Sequence, residues 1–128
     1  MSQTKTHFHS IKETISLTTQ AFIDGNYCDA LDGGKLETKN PATGEIIASF
    51  AHCKASDVDK AVAAGRRVFN EGVWSRSAPE YRKEVLLKLA TLVENHRNEL
   101  AVLESIDAGK TITDCLHEVG TEAPAFFR

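Results

Sequence analysis

Between residues 22 and 51, short apolar segments alternate with residues that favour turns. Asp24-Gly25 lies between apolar and aromatic residues, and this dipeptide favours a tight hairpin turn because both turn positions take positive φ. Residues 40–44 read Asn-Pro-Ala-Thr-Gly and indicate a second reversal, between residues 36–39 and 45–50. Residues 22–51 are therefore predicted to form antiparallel β structure.

After residue 51 the apolar spacing lengthens from two residues to about 3.6, which indicates helices. Ser56 is predicted to cap the first helix, and Gly72 to end it. A second helix is predicted to start at Ser77, which has capping-box spacing to Glu80, with Pro79 in the first turn.

Two further helices follow in the apolar pattern. One is predicted from near Asn98 to Gly109, and the other from near Thr111 or Thr113. Each of the four helices has an apolar face, and the faces of the third and fourth helices are predicted to be buried. The faces are Val58, Ala61, Val62, Gly65, Val68 and Phe69; Val85, Leu86, Leu89, Leu92, Val93 and His96; Leu100, Leu103 and Ile106; and Leu116, Val119, Ala123 and one of Phe126 or Phe127.

The first twenty residues are polar and lack the apolar core of a secretory signal. Phe8, Ile11 and Ile15 recur at helical spacing, so the segment is either a short amphipathic arm or a frayed terminus. No apolar run approaches the roughly 20 residues that a membrane-spanning helix needs.

Composition narrows the functional classes. The 128 residues carry a net charge of -3, which leaves no basic excess for binding nucleic acid. Three cysteines at scattered spacings do not form a disulfide framework, so we predict a reducing compartment, the cytoplasm.

The run Asp107-Ala108-Gly109-Lys110-Thr111 superficially resembles a phosphate-binding loop. Glu104 stands where that motif requires its first glycine, and the preceding residues have a helical pattern rather than a strand pattern. The run is better explained as a helix end followed by a cation. Asp107 is unusual there, because a carboxylate in the last turn opposes the helix dipole, so a cation or hydrogen bonds should compensate it.

Other chemically reactive residues form no active-site pattern. His7 and His9 lack a third metal ligand at useful spacing, and the adjacent side chains of His52 and Cys53 should point apart on a strand. Phe126 and Phe127 lie near the last residue, and such apolar groups usually mark an interface or a missing partner.

Five stretches, in order, resemble motifs of the aldehyde dehydrogenase superfamily. Their order and spacing, from about residue 20 to residue 128, make the resemblance specific. Thr111, Thr121 and Pro124 depart from the family pattern, at positions without a chemical role. The stretches are F-I-D-G-N-Y at 22–27, N-P-A-T-G-E at 40–45, the helix pattern at 57–69, Trp74-Ser75 with Arg82, and L-E-S-I-D-A-G-K at 103–110.

The resemblance implies an enzyme that oxidises an aldehyde to a carboxylic acid through a cysteine thiolate, with NAD or NADP as hydride acceptor. It also implies that the catalytic Cys, its Glu base and the cofactor loops lie beyond Arg128. None of Cys28, Cys53 and Cys115 occupies the nucleophile position. This chain is therefore expected to contain no catalytic or cofactor-binding residue, to bind no cofactor tightly alone and to be inactive alone.

For the fold, the resemblance implies an α/β arrangement: the peripheral β-hairpins and about four helices that begin the family's cofactor-binding domain. Residues 1–20 would be an N-terminal arm, and residues 21–128 the start of that domain, truncated. A family site for a monovalent cation corresponds to Thr38, Lys39 and Asp107. The expected partners are the remainder of the dehydrogenase chain and identical subunits in a homodimer or homotetramer, with neither nucleic acid nor membrane.

The arm before Phe22, with His7-Phe8-His9, resembles the subfamily that oxidises γ-glutamyl-γ-aminobutyraldehyde in putrescine degradation. The alternative for the whole chain is a non-catalytic α/β interaction module derived from the same fold.

Overall fold

The computed structural model describes residues 2–128, with side chains from residue 6 onward. Two β-hairpins precede a succession of helices, with one helix before the hairpins. The elements are α1 (Ser2–Thr14), β1 (Ala21–Ile23), β2 (Asn26–Cys28), β3 (Lys35–Lys39), β4 (Ile46–Ala51), α2 (Ala55–Glu71), α3 (Pro79–Asn95), α4 (Arg97–Ala108), α5 (Ile112–His117), a π-helical turn (Glu118–Glu122) and α6 (Ala123–Phe126).

The N-terminal arm is helical. Helix α1 lies against α4, and Phe8 and Ile11 are half-buried. Of the two alternatives that the sequence leaves open, the structure supports the amphipathic arm.

Both predicted hairpins are present as separate two-stranded antiparallel sheets. In the first, Asp24 and Gly25 have φ angles of 52° and 77°, as the Asp-Gly turn requires. In the second, β3 pairs with β4 from Lys35 opposite Ala51, and the register shifts between Thr38 and Lys39. The Ala51 N–H donates to the Thr19 carbonyl (2.8 Å), which ties the second hairpin to the chain just before the first.

Two of the predicted helix starts are wrong. Helix α2 begins at Ala55 rather than after Ser56, because Asp57 accepts a hydrogen bond from the Lys54 N–H and so closes the first turn. Helix α3 begins at Pro79 with Ala78 as its cap, because the Ser77 hydroxyl donates to the Trp74 carbonyl instead. At α2 the capping-box contact joins Lys54 and Asp57, two residues earlier than a cap at Ser56 would place it.

The other predicted helix ends are confirmed. Gly72 and Gly109 end α2 and α4 with φ of 78° and 73°, and Thr111 caps α5 by accepting from the Asp114 N–H. The third helix begins at Arg97, one residue before the predicted position. The predicted fourth helix is interrupted by the π-helical turn before it continues as α6.

The core differs from the predicted one. Its buried hydrophobic residues are small (Ala30, Ala90, Ala101, Val102 and Cys115), and the largest fully buried side chain is Pro124. The predicted burial is wrong for Leu100, which is exposed, whereas the other large residues of the third and fourth faces are half-buried: Leu103, Ile106, Leu116, Val119 and Phe127. The apolar faces of the first two predicted helices also keep several large residues exposed. These are Val58, Val62, Phe69, Leu86, Leu89, Leu92 and His96.

Of the two terminal aromatics, Phe127 is half-buried, whereas Phe126 is 87% exposed. Across the described residues, every helix is too short or too polar to cross a membrane.

Candidate functional site

The structure brings together two of the three residues predicted to form a cation site. Thr38 lies near the end of β3 and Asp107 in the last turn of α4, and the Thr38 hydroxyl donates to Asp107 Oδ1 over 2.6 Å. This hydrogen bond supplies the compensation that a carboxylate at the negative end of a helix dipole needs. Lys39 follows directly in β3, opposite Ile46 and at the shift in register.

A groove of about 440 Å³ opens beside this pair. Thr38 and Asp107 belong to its polar lining, together with Glu104, and Leu17 and Phe50 belong to its apolar lining. Among the residues that the structure describes, no three His, Cys, Asp or Glu side chains are grouped to hold a metal ion. A site with one carboxylate and backbone carbonyls suits a weakly bound hard cation better than a transition metal. The cation site stays a prediction.

Gly109 is needed for two reasons at this end of α4. Its positive φ ends the helix, and a Cβ at this position would lie 2.6 Å from Pro41 Cγ. The end of α4 therefore packs directly on the 40–44 turn, which places Asp107 beside β3. The first reason is readable from the sequence, whereas the second depends on the tertiary contact.

Lys110 is enclosed by two carboxylates. Its Nζ donates to Glu104 Oε1 (2.7 Å) and to Glu118 Oε2 (2.5 Å), and these hydrogen bonds raise the pKa of Lys110. The amine is therefore engaged within the chain, which agrees with the rejection of a phosphate-binding loop. Glu104, which excludes that motif by its position, is also one of the two residues that bind the lysine.

Asp57 is the most buried charged side chain in the described chain, with 3% of its surface exposed. One carboxylate oxygen accepts from the Leu31 N–H (3.0 Å) and the other from the Lys54 N–H (2.9 Å). The bond from Lys54 is the main cause of a lowered pKa, and desolvation opposes it. Sequence reasoning assigned Asp57 only to the helix dipole and missed that it joins two loops.

Neither Cys53 nor Cys115 is activated as a nucleophile. Cys115 is fully buried and Cys53 half-buried, and desolvation is the main cause of the raised pKa of both thiols. The charge of Asp57 raises the pKa of Cys53 further. Because the thiolate is the reactive form, a raised pKa disfavours nucleophilic chemistry. The His52 ring lies 2.8 Å from Lys54 Nζ rather than forming a pair with Cys53.

A second groove, of about 510 Å³, lies between the first hairpin and α2. Its lining combines aromatic, aliphatic and small residues. The aromatic residues are Phe22, Phe69 and Trp74, the aliphatic ones Ile23 and Val68, and the small ones include Ala61, Ala64 and Gly65. Asp24, a charged residue in the lining, is paired with Arg67 (2.5 Å).

Comparisons with known proteins identify a family for this chain. The model of the aldehyde dehydrogenase family matches residues 28–128. An aminoacetaldehyde dehydrogenase of Pseudomonas aeruginosa is 48% identical over 110 residues, which are 86% of this chain and 22% of that protein.

Solved structures agree in fold. The γ-glutamyl-γ-aminobutyraldehyde dehydrogenase of Burkholderia cenocepacia matches 94% of this chain with a TM-score of 0.90 and 38% identity. The indole-3-acetaldehyde dehydrogenase AldA of P. syringae, solved with NAD+, matches 94% with a TM-score of 0.86 and 36% identity. Each match covers 24% of the solved chain, so this chain spans about a quarter of their length. The predicted fold class, the N-terminal part of the aldehyde dehydrogenase fold, is confirmed.

Proposed function

This chain belongs to the aldehyde dehydrogenase family, and we propose that it forms the N-terminal portion of an NAD(P)-dependent enzyme that oxidises an aldehyde to a carboxylic acid. The observation that carries the proposal is the superposition of 94% of the chain on a solved aldehyde dehydrogenase with a TM-score of 0.90. The likeness extends over the hairpins and the helices in sequence order, so it does not depend on a single motif.

For the substrate, we propose γ-glutamyl-γ-aminobutyraldehyde, and with it a role in putrescine degradation. The N-terminal arm resembles that subfamily, and one of the similar structures is named for this aldehyde. The relative named for aminoacetaldehyde also acts on an aldehyde that carries nitrogen. These two aldehydes are therefore the first to test, in the cytoplasmic fraction where we place the enzyme.

The contribution of this chain is structural rather than catalytic in our proposal. The resemblance assigns the nucleophile, the Glu base and the cofactor loops to sequence beyond residue 128, so the hydride acceptor would be NAD or NADP held elsewhere in the enzyme. Within this chain, the raised pKa values of Cys53 and Cys115 oppose thiolate formation. The chain alone should therefore show no dehydrogenase activity.

The first test is the intact mass of the protein from its native source, followed by an assay of NADH and NADPH formation with both aldehydes. Aldehyde-dependent formation of either nucleotide by a protein much heavier than 14.0 kDa supports the proposal. A native mass near 14.0 kDa with no such activity contradicts it. If the 128-residue chain alone is active and loses that activity when Cys28, Cys53 and Cys115 are replaced, the assignment of the nucleophile is wrong.

An interaction module derived from the same fold is the second candidate, favoured by the number of large apolar side chains at the surface. The two functions differ in stability. A module should unfold in one sharp transition, whereas a chain adapted to pack within a larger enzyme should unfold with low cooperativity. Thermal unfolding of the 128-residue chain, followed by circular dichroism and by calorimetry, distinguishes them.

The partners follow from the proposal. The remainder of the dehydrogenase would cover the apolar surface of this chain, and identical subunits would form the family's homodimer or homotetramer. Size-exclusion chromatography with light scattering on the native protein checks the subunit number.

A further inference from the structure

Helix α2 carries an apolar stripe that the rest of this chain leaves uncovered. The helix packs on the chain through the side that holds the buried Asp57 and the half-buried Val68. Val58, Val62 and Phe69 are 54%, 62% and 58% exposed, and by helical geometry they lie about 100° around the helix from that side. The stripe is therefore a second apolar face of α2, separate from the side on which the helix packs.

The spacing of the stripe suits contact with another helix. Its five residues are separated alternately by three and four positions, the spacing that keeps one seam facing a partner helix in a coiled coil. Gly65 gives this seam a recess, since a Cβ added there would meet nothing within 4 Å. The members of the stripe are all exposed: Ala55, Val58, Val62, Gly65 and Phe69.

Two exposed residues of opposite charge, Asp59 and Arg66, border the stripe on one side. They are separated by two helical turns, about 10 Å along the axis, so they do not pair with each other. Among the side chains that the structure describes, neither has an ion-pair partner. The Arg66 guanidinium lies 5.7 Å from the centroid of the Phe69 ring, over the end of the stripe. The border therefore offers one unpaired charge of each sign.

A second copy of α2 that runs in the opposite direction fits the stripe in size. In an antiparallel pair with this spacing, Val62 of one copy lies opposite Gly65 of the other, where the recess receives it. The same register sets Val58 opposite Phe69 of the other copy. Two-fold symmetry repeats both contacts, so each large side chain meets a smaller one.

The same register also pairs the bordering charges. Asp59 of one copy lies beside Arg66 of the other, and the symmetry forms this ion pair twice. A parallel pair fits less well, because Gly65 would face Gly65 across the seam and Arg66 would lie beside the apolar Ala61. Size and charge therefore select the antiparallel orientation.

Other occupants of the stripe match it less closely. A small ligand is normally enclosed in a pocket with polar groups that orient it, whereas the stripe lies on the outside of a helix. A helix of different sequence would need the same apolar spacing and a border with the two charges in reversed order. Another copy of α2 supplies both features.

We propose that α2 is a self-association face, through which two copies of this chain pair as antiparallel helices about a two-fold axis. Val62 fills the recess at Gly65, and Asp59 pairs with Arg66 across the axis. The contact uses residues of α2 alone, so the inference does not depend on the proposed enzymatic activity. One pair of helices is smaller than a standard interface, and we therefore expect a weak dimer, formed at micromolar to millimolar concentrations of protein.

The test is sedimentation equilibrium of the 128-residue chain, up to millimolar concentration, for the wild type and for charge-reversed variants. Asp59→Arg or Arg66→Asp alone sets like charges against each other at both ion pairs, so each should raise the dissociation constant about tenfold. The double variant restores opposite charges and should dimerise like the wild type. An equimolar mixture of the two single variants should form heterodimers with the affinity of the wild type, because opposite charges again meet across the axis.

A second pair of variants tests the apolar seam. Val62→Lys places a charge in the seam and should abolish the dimer. Ala63→Lys is the matched control, because Ala63 is exposed on α2 outside the stripe and receives the same charge, so it should leave the dissociation constant unchanged. Far-UV circular dichroism confirms that each variant keeps its helices.

The outcomes bear on the self-association face alone. A wild-type chain that stays monomeric at millimolar concentration overturns the inference. A dimer that Val62→Lys and Ala63→Lys affect equally does so as well, because the stripe is then not the contact. If the double variant and the mixture are as weak as the single variants, the antiparallel register is wrong. The proposed function is judged separately, by the mass and the aldehyde oxidation of the native protein.

Discussion

The hairpins with α2 and the helices after residue 78 are held together by different means. In the helical region the buried residues are small and apolar, and they let the helices approach closely: Ala90, Ala101, Val102, Cys115 and Pro124. Before residue 78 the buried residues are Ala30, Asn40 and Asp57, two of which are polar. The N-terminal region therefore depends on directed hydrogen bonds, where the C-terminal region depends on packing.

Each of these two means of holding the chain together leaves large apolar side chains exposed. Close helix packing through alanine buries backbone and small groups, while Leu86, Leu89 and Leu92 remain at the surface of α3. Hydrogen bonds hold the loops before α2 in place but leave Val62 and Phe69 uncovered. Both regions therefore leave large apolar side chains at the surface of this chain.

The largest expected effect comes from the same substitution made in each region. Ala101→Asp places a charge where no surface is exposed, and an unpaired buried charge should cost about 3–5 kcal/mol. Ala63→Asp, on the exposed face of α2, should cost less than about 1 kcal/mol. Urea unfolding followed by far-UV circular dichroism measures both losses. Equal losses would mean that α4 is no better packed than α2.

The sequence predicted local turns well and contacts between distant segments poorly. The turn at Asp24-Gly25 was predictable because its preference for positive φ belongs to the dipeptide itself. The start of α2 was not, since it depends on Asp57 binding the Lys54 N–H while it also holds Leu31. Serine at position 56 offers a plausible cap, but Asp57 instead accepts from the Lys54 N–H, three residues before it, and also binds the distant Leu31 N–H.

The candidate site divides in the same way. Thr38 and Asp107 are 69 positions apart, and no spacing rule would pair them. Their pairing was predicted from the family resemblance alone. The glutamates that bind Lys110 were not predicted, because the salt bridge to Glu118 forms only after the chain folds back beyond Gly109.

The second prediction concerns the polar region. Asp57→Ala leaves the N–H groups of Leu31 and Lys54 without their acceptor, so we expect an unfolding midpoint several degrees lower and faster amide exchange at both residues. Asp59→Ala is the control, because Asp59 is exposed on the same helix and its replacement removes the same charge. If the amides of Leu31 and Lys54 exchange at equal rates in the two variants, the hydrogen bonds to Asp57 are not what holds the two loops.

Acid gives an independent test of the same carboxylate. The folded pKa of Asp57 lies below its ordinary value of 3.8, so its contribution to stability is present above that pH. The contribution disappears as the pH falls through the folded pKa. We expect the wild-type protein to lose more stability than Asp57→Ala between pH 4 and pH 2, measured as the difference in urea midpoint. Parallel pH profiles would contradict the role of the ionised carboxylate.

A smaller effect is expected at the start of α5. The Thr111 hydroxyl caps this helix by accepting from the Asp114 N–H, so Thr111→Ala should cost about 1 kcal/mol. Thr113→Ala, at an exposed position in the first turn of the same helix, should have little effect. Urea unfolding of the two variants gives the comparison, and an equal loss would mean that the cap is not significant in a helix of six residues.

The smallest effect tests the junction where the two regions meet. Thr38→Val removes the hydrogen bond from β3 to the end of α4, and because Asp107 is exposed we expect a cost of about 0.5 kcal/mol.

If Thr38, Lys39 and Asp107 bind a monovalent cation, potassium chloride should raise the unfolding midpoint more than choline chloride at equal ionic strength. Asp107→Ala should abolish that difference, whereas Glu37→Ala, an exposed charge on the same strand, should preserve it. A wild-type protein that responds equally to both salts would leave the hydrogen bond as the junction's only role, with Asp107 acting as a structural acceptor for β3.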